Sequence, residues 1–227
     1  MTRWPLTGLE PYRLAEDDLA RFVEAGIVDA GCELDEGIVT LEGEPFRFSI
    51  ARYDRMSGSG FLPEKPPYAV LVEGLLVQKM IPDPIHANGV ESCYQLLLLL
   101  LLGRPWTPRS EKGAIIGTSE FLPDTLVARG DRSQYWTRHP TASDIGLVIE
   151  VANTTLHADR THMARIYGAA GIPVYWIINL VDGQVEVMTN PTATGYADRM
   201  DYQRGEAVPV VLDGVHVGDL LVDDLLP

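Results

Sequence analysis

"LVIEVANTTLHADRTHMARIYGAAGIPVYWIIN", residues 147–179, decides how this chain is read. It opens on "LVIEVA", a short β-branched run of the kind that forms a buried strand, and closes on a second such run, "PVYWIIN". Between them Asp159 to Ala170 reads as a helix, ended by Gly171 and Pro173, and repeats of four put Asp159, Met163 and Tyr167 on one face. Strand, helix and strand in succession predict a right-handed crossover. Tyr175 and Trp176 fall in the second strand and are expected in the core. Asp182-Gly183 is a hairpin signal, so "QVEVMT" should run back beside that strand. One residue is foreign to an apolar strand: Glu150.

Working upstream, "GAIIGTS" and "DTLVA" are further strands, and Asn88 to Leu102 is helical until Pro105 and Pro108 forbid continuation. The sum is a mixed sheet with helices on its faces, an α/β or α+β core. A chain of 227 residues, 46% hydrophobic, can bury a full core, so one domain with an elaborated end is expected. The elaboration has a pattern. "PYRLAEDDLARFVEAGIV" and "PFRFSIARYDRMSGSGFL" align with Pro11 on Pro45, Arg13 on Arg47, Arg21 on Arg55 and Gly26 on Gly60. Each half then closes with an acid-Gly turn, in "LDEGIV" and "LVEGLLV". Residues 1–43 are therefore expected to be an added module, a degenerate repeat of the start of a core domain at 44–227.

Net charge is −14, with the acid at the two ends. Residues 1–103 hold eight basic and sixteen acidic side chains and 168–227 hold two and nine, whereas 104–167 hold eight and seven. Only the middle, which also carries His139, His157 and His162, suits approach to a phosphate backbone. In it "RSQYWTRHP" sets Tyr135 and Trp136 among Arg132, Arg138 and His139, a basic aromatic loop able to stack on bases or, more blandly, a surface loop with its Trp packed inward. Cys32 and Cys93 have no metal-ligand spacing and suggest no disulfide framework. No signal peptide is read at the start, and Leu96 to Leu102 is far short of the roughly 20 residues a membrane span needs. It is expected to be a buried helix in a cytoplasmic protein.

Glu150 has a counterpart in Asp124, in "FLPDTLVA". Carboxylates in apolar strands are tolerated when paired, hydrogen-bonded or bound to a cation. If neighbouring strands bring the two together, they offer the hard oxygen donors that suit Mg²⁺ or Mn²⁺. The plainer reading starts a turn at Asp124 after Pro123 and pairs Glu150 with Arg160 or another base. No Gly-rich phosphate loop, nucleophile elbow or "HExxH" signature occurs.

"PD" in "FLPDTLVA", "LVIEVANTTLHADR", the Tyr167 and "AGIPVYWIIN" that follow, and "PIHANG" upstream together resemble the Uma-type restriction endonuclease family of the PD-(D/E)XK nuclease superfamily. The resemblance covers about residues 45 to 225. It implies a restriction-endonuclease-like fold, divalent-metal-dependent hydrolysis of DNA phosphodiesters, and a homodimer. It also implies that Asp124 and Glu150 are metal ligands, with His86 and Glu73, in the "VEG" turn, as accessory site residues. The lysine that completes the set would lie two residues after the second acid, here Ala152, or in the Uma-type pattern four residues after the Asp of "DR", here Met163. Methionine carries no charge and no donatable proton. Asn153 and Val174 also depart from the usual residues. Arg160, about 60° round the helix from Met163, is long enough to reach the site as a substitute cation, although with Arg165 it reads more plainly as a solvated helix face. Two functions follow as expectations: a weak, divergent endonuclease, or a catalytically silent nuclease fold that binds nucleic acid or protein.

Overall fold

The computed structural model describes residues 3–227. In chain order the elements are α1 (Glu16–Glu24), β1 (Cys32–Asp35), β2 (Ile38–Leu41), β3 (Glu44–Pro45), α2 (Ile50–Gly58), β4 (Tyr68–Val72), β5 (Leu75–Lys79), α3 (Pro84–Leu100), β6 (Trp106–Ser110), β7 (Ala114–Ile116), β8 (Ser119–Phe121) and β9 (Thr125–Arg129). They continue with β10 (Ile145–Ala152), α4 (Leu156–Ala158), a π-helical turn (Asp159–Met163), α5 (Ala164–Ala169), β11 (Val174–Asn179), β12 (Gln184–Thr192), β13 (Gly195–Gln203), β14 (Ala207–Leu212), β15 (Val215–Leu221) and α6 (Val222–Leu225). Two compact units result. One takes the chain up to Ile81 together with Thr118–Phe121, and the other takes Pro82–Gly117 and Leu122–Pro227.

The second unit is built on a six-stranded mixed sheet of order β13-β12-β11-β10-β9-β6. β10 and β11 are parallel, joined by the α4–α5 helical crossover, and the other neighbours are antiparallel. All eight residues of β10 are buried. The reason is that both faces are covered. Leu147, Ile149 and Val151 share a core with Val90, Cys93 and Leu97 of α3 and with Trp176 and Ile178 of β11, while Glu150, on the other face, meets Tyr167 of the crossover. Full burial of side chains such as Trp176 and Leu97 contributes about 1.5–3 kcal/mol each. Gly168 lets the crossover lie close to β13, since a Cβ there would stand 2.0 Å from the Gly195 carbonyl oxygen.

Several elements depart from expectation for local reasons. The long helix begins at Pro84, not Asn88, because Asp83 caps it, its Oδ1 accepting from the amides of Ile85 and His86. "GAIIGTS" splits at Gly117, which is left-handed (φ +62°), into β7 and β8. Pro108 is accommodated in β6 because β6 is an edge strand. Leu96 to Leu102 is not a buried helix: Leu97 and Leu101 face the core, but Leu99 and Leu102 are 74% and 80% exposed, as a single helix stripe in contact with one sheet requires. The hairpin at Asp182-Gly183 forms as β11–β12, its turn organised by Asn179, whose Oδ1 accepts from the amides of Val181 and Asp182. No helix among the described residues is long and apolar enough to cross a membrane.

In the first unit β1, β2 and β3 form an antiparallel sheet, and the β4–β5 hairpin is extended by β8 on the β4 side, with Leu71 opposite Glu120. Glu36-Gly37 and Glu73-Gly74 turn these two hairpins with positive φ at both residues, the geometry whose twist matches a two-residue hairpin. Leu14, Phe22, Ile27, Val39, Phe48, Met56, Leu71 and Leu76 make the core.

Candidate active site

The β9–β10 pairing sets Ile149 opposite Thr125, so Asp124, one step before β9, adjoins Glu150. The two carboxylates are interlocked through each other's backbone. Asp124 Oδ2 accepts from the amide of Val151 at 2.9 Å, and Glu150 Oε2 accepts from the amide of Asp124 at 3.1 Å. Both side chains lie in the sheet interior, their residues 5% and 8% exposed, where such bonds offset lost hydration. His86 Nε2 stands 3.0 Å from Asp124 Oδ2. The Tyr167 hydroxyl donates to Glu150 Oε1 at 2.5 Å. Burial, then the charge of Glu150, holds the Tyr167 phenol well above its ordinary pKa, so it stays a donor. Beneath the pair, burial and then the Asp124 charge push the Cys93 thiol up to about 12, which leaves it unreactive at neutral pH.

The position of His86 follows from the helix start. Asp83 fixes the first turn of α3 with Oδ1 and accepts from the Asn153 carboxamide with Oδ2 at 2.9 Å, tying that turn to the end of β10. The His86 amide, then Asn153, holds the Asp83 carboxyl below its usual range. Asn153 thus has a role as an anchor for the histidine helix, and Asp83 and Tyr167 join the constellation. The sequence signals were available: Asp83-Pro84 is a helix-start pair, and Tyr167 lies on the face of Asp159 and Met163.

Met163 is buried at the end of the π turn. Asp159, also buried, accepts from the Thr155 hydroxyl at 2.6 Å, and its carbonyl oxygen accepts from the Tyr175 hydroxyl at 3.3 Å. Arg160 points to another acid: its Nε donates to Glu186 Oε2 at 3.0 Å and its Nη2 to Glu186 Oε1 at 2.5 Å and to Asp182 at 3.1 Å. Glu73 lies in the first unit, at the tip of β4–β5, where its amide donates to Ser119 Oγ at 2.8 Å. In the basic aromatic loop it is Tyr135 that packs inward, beneath the guanidinium groups of Arg109 and Arg138, while Trp136 is 73% exposed.

Among the described residues no group of three or more His, Cys, Asp or Glu side chains is arranged to hold a metal ion. The donor set here is two carboxylates, one of them touched by a histidine. That fits Mg²⁺ or Mn²⁺, ions held through one or two carboxylates with water and phosphate completing the shell, and does not fit a closed zinc site.

A mixed sheet with paired acids at adjoining strands is the arrangement expected of a restriction-endonuclease-like fold, and a solved structure aligns with the chain. It is a crystal structure described as that of a "putative nuclease belonging to DUF820" from Anabaena variabilis, 20% identical, with a TM-score of 0.55, covering 75% of this chain and 96% of that one. This likeness shows the fold. No curated protein matches the chain in sequence. The family model described as "Putative restriction endonuclease", Uma2, matches residues 50–218, and the chain belongs to that family.

Proposed function

We propose that Asp124 and Glu150 are the metal ligands of a divergent endonuclease that hydrolyses DNA phosphodiesters slowly. The observation that carries this reading is the interlock of two buried carboxylates on adjoining strands with His86 against one and Tyr167 against the other. A divalent ion held there would polarise the phosphate and lower the pKa of a bound water. The chain's own groups orient the ligands: the Val151 and Asp124 amides fix one oxygen of each carboxylate, and Tyr167 fixes a second on Glu150. His86, set by the Asp83 cap, stands against Asp124. Metal-dependent chemistry is general among restriction-endonuclease-like nucleases, which supports Mg²⁺ or Mn²⁺ as the ion, and the match to a restriction endonuclease family supports DNA as substrate.

Met163 limits the rate. Loss of one electrostatic group at a transition state costs about 10² to 10³ in rate, and Arg160, bound to Glu186, is a poor replacement. The same two observations favour a second reading, a nuclease fold kept for binding nucleic acid or protein without cleavage. Mn²⁺-dependent nicking of supercoiled plasmid by the wild type and by Met163→Lys, each with an Asp124→Ala control, separates them. Slow nicking by the wild type that vanishes in Asp124→Ala is expected, with an increase of about 10²-fold in Met163→Lys. Nicking by Met163→Lys alone supports the binding role. Silence from both, with no Mn²⁺-induced rise in melting temperature, removes the nuclease reading.

A further inference from the structure

The first unit contains two segments that make the same contacts with themselves and reciprocal contacts with each other. Within the first, the Leu14 amide donates to the Gly37 carbonyl at 2.8 Å and Arg13 Nη1 donates to the Glu36 carbonyl. Within the second, the Phe48 amide donates to the Gly74 carbonyl at 2.7 Å and Arg47 Nη1 to the Glu73 carbonyl at 2.5 Å. The nine-residue helices α1 and α2 occupy equivalent positions, and each is closed by a return bond, Ile27 to Phe22 in one and Phe61 to Met56 in the other.

Between segments the pattern crosses over. The Tyr12 amide donates to the Leu76 carbonyl at 2.9 Å, and its equivalent Phe46 donates to the Val39 carbonyl at 2.8 Å. Pro11 bridges Val77, and Pro45 bridges Thr40. Each lead-in strand therefore adds to the outer edge of the other segment's hairpin. The helix ends follow suit: Arg55 donates to the Gly26 carbonyl, and Arg21 lies over the Phe61 ring. Core residues come as equivalents too, Leu14 with Phe48, Phe22 with Met56 and Val39 with Leu76. Contacts in which i meets j and the equivalent of j meets the equivalent of i define a two-fold, isologous interface, the kind that normally joins two chains.

We propose that residues 11–41 and 45–79 are two copies of one self-complementary module, and that its proper partner is another copy of itself. The first copy fills, within one chain, the place that the module of a second chain would take. The match to the family model begins at residue 50 and so leaves the first copy outside it. That copy is an internal substitute for a dimer partner, and two chains whose first copies have opened should pair through their second copies.

Cysteine pairs in the full-length chain test this. Pro11→Cys with Val77→Cys should link within one chain on oxidation, migrating as a monomer on a non-reducing gel; absence of that link overturns the closure. Pro45→Cys with Val77→Cys is the decisive pair, because those positions face Thr40 and Pro11 in the closed chain but would face each other between two second copies. Under oxidation at high protein concentration, a dimer bridged from position 45 of one chain to position 77 of the other, identified by peptide mass, should accumulate from transient openings. Leu14→Asp, which charges only the first copy's side of the core, should speed it by about tenfold or more. Absence of that bridged dimer in either background, or dimers linked only through other cysteines, overturns self-complementarity.

Discussion

Glu150 and Glu186 stand in one row of the second unit's sheet, one on each side of Ile177. Both are buried acids facing the crossover helix, yet they are met differently. Glu186, fully buried, receives Arg160 through two bonds, Arg199 at 3.2 Å and the Asn179 carboxamide at 2.7 Å. Glu150 receives a phenol and an amide, and Asp124 beside it an amide and a histidine. A carboxylate clasped by guanidinium groups is a structural pin, and here it anchors the π turn to the sheet. A phenol and a backbone amide instead orient the Glu150 carboxylate without neutralising its charge. The two acids also divide one resource. Arg160, the substitute cation that the sequence led one to expect near Met163, is bound to Glu186 instead.

The sharpest way to break this contrast is Arg160→Met. It leaves Glu186 buried with less positive charge, and loss of one partner of a buried ion pair costs about 3 kcal/mol. Chemical denaturation should show that loss as a lower midpoint with an unchanged slope. Preserved stability would mean that Arg199 and Asn179 suffice to hold Glu186.

Tyr167→Phe should cost less, about 1.5–2 kcal/mol, the value of a hydrogen bond to a charged group. Its pH signature is distinct. The folded-state phenol titrates above its unfolded value near 10, so its contribution is complete below that value and is lost as pH rises toward the folded one. Wild-type stability should therefore fall steeply in alkali. Tyr175, raised chiefly by burial, adds to the same limb. Tyr167→Phe should flatten the limb without abolishing it, as followed by denaturation between pH 8 and 11; an unchanged limb would show that Tyr167 is not the proton-bearing donor to Glu150.

How far this arrangement is legible in sequence depends on whether the signal is local. "LVIEVA", the crossover and "PVYWIIN" announce themselves by periodicity, and the burial of Tyr175 and Trp176 follows from it. The partners of Arg160 do not. Glu186 lies 26 residues away in chain, on a strand reached through a hairpin, and only the register of β11 with β12 brings it under the helix. The polar strand β13 gives no apolar alternation to read, because it is an edge. The leucine run misleads for a related reason: composition states how apolar a helix is, not how many neighbours it has. The π turn shifts the helix register between Asp159 and Met163, which spacing by fours does not anticipate.

Glu150→Gln should have the smallest effect on folding and so sharpens the comparison most. The glutamine oxygen can accept from the Asp124 amide, while its NH₂ donates to the Tyr167 hydroxyl, which turns from donor to acceptor. The Tyr167 O–H gives up its acceptor, a cost of about 1 kcal/mol that removal of a buried charge offsets, so stability should stay within about 1 kcal/mol of wild type. The metal response should not survive, because an amide is a far weaker ligand for a hard cation than a carboxylate. A rise in melting temperature with Mn²⁺ in the wild type, absent in Glu150→Gln at equal basal stability, assigns that carboxylate to ion binding. If the variant loses several kcal/mol and the wild type ignores Mn²⁺, Glu150 is a pin of the same kind as Glu186, and the distinction between the two acids fails.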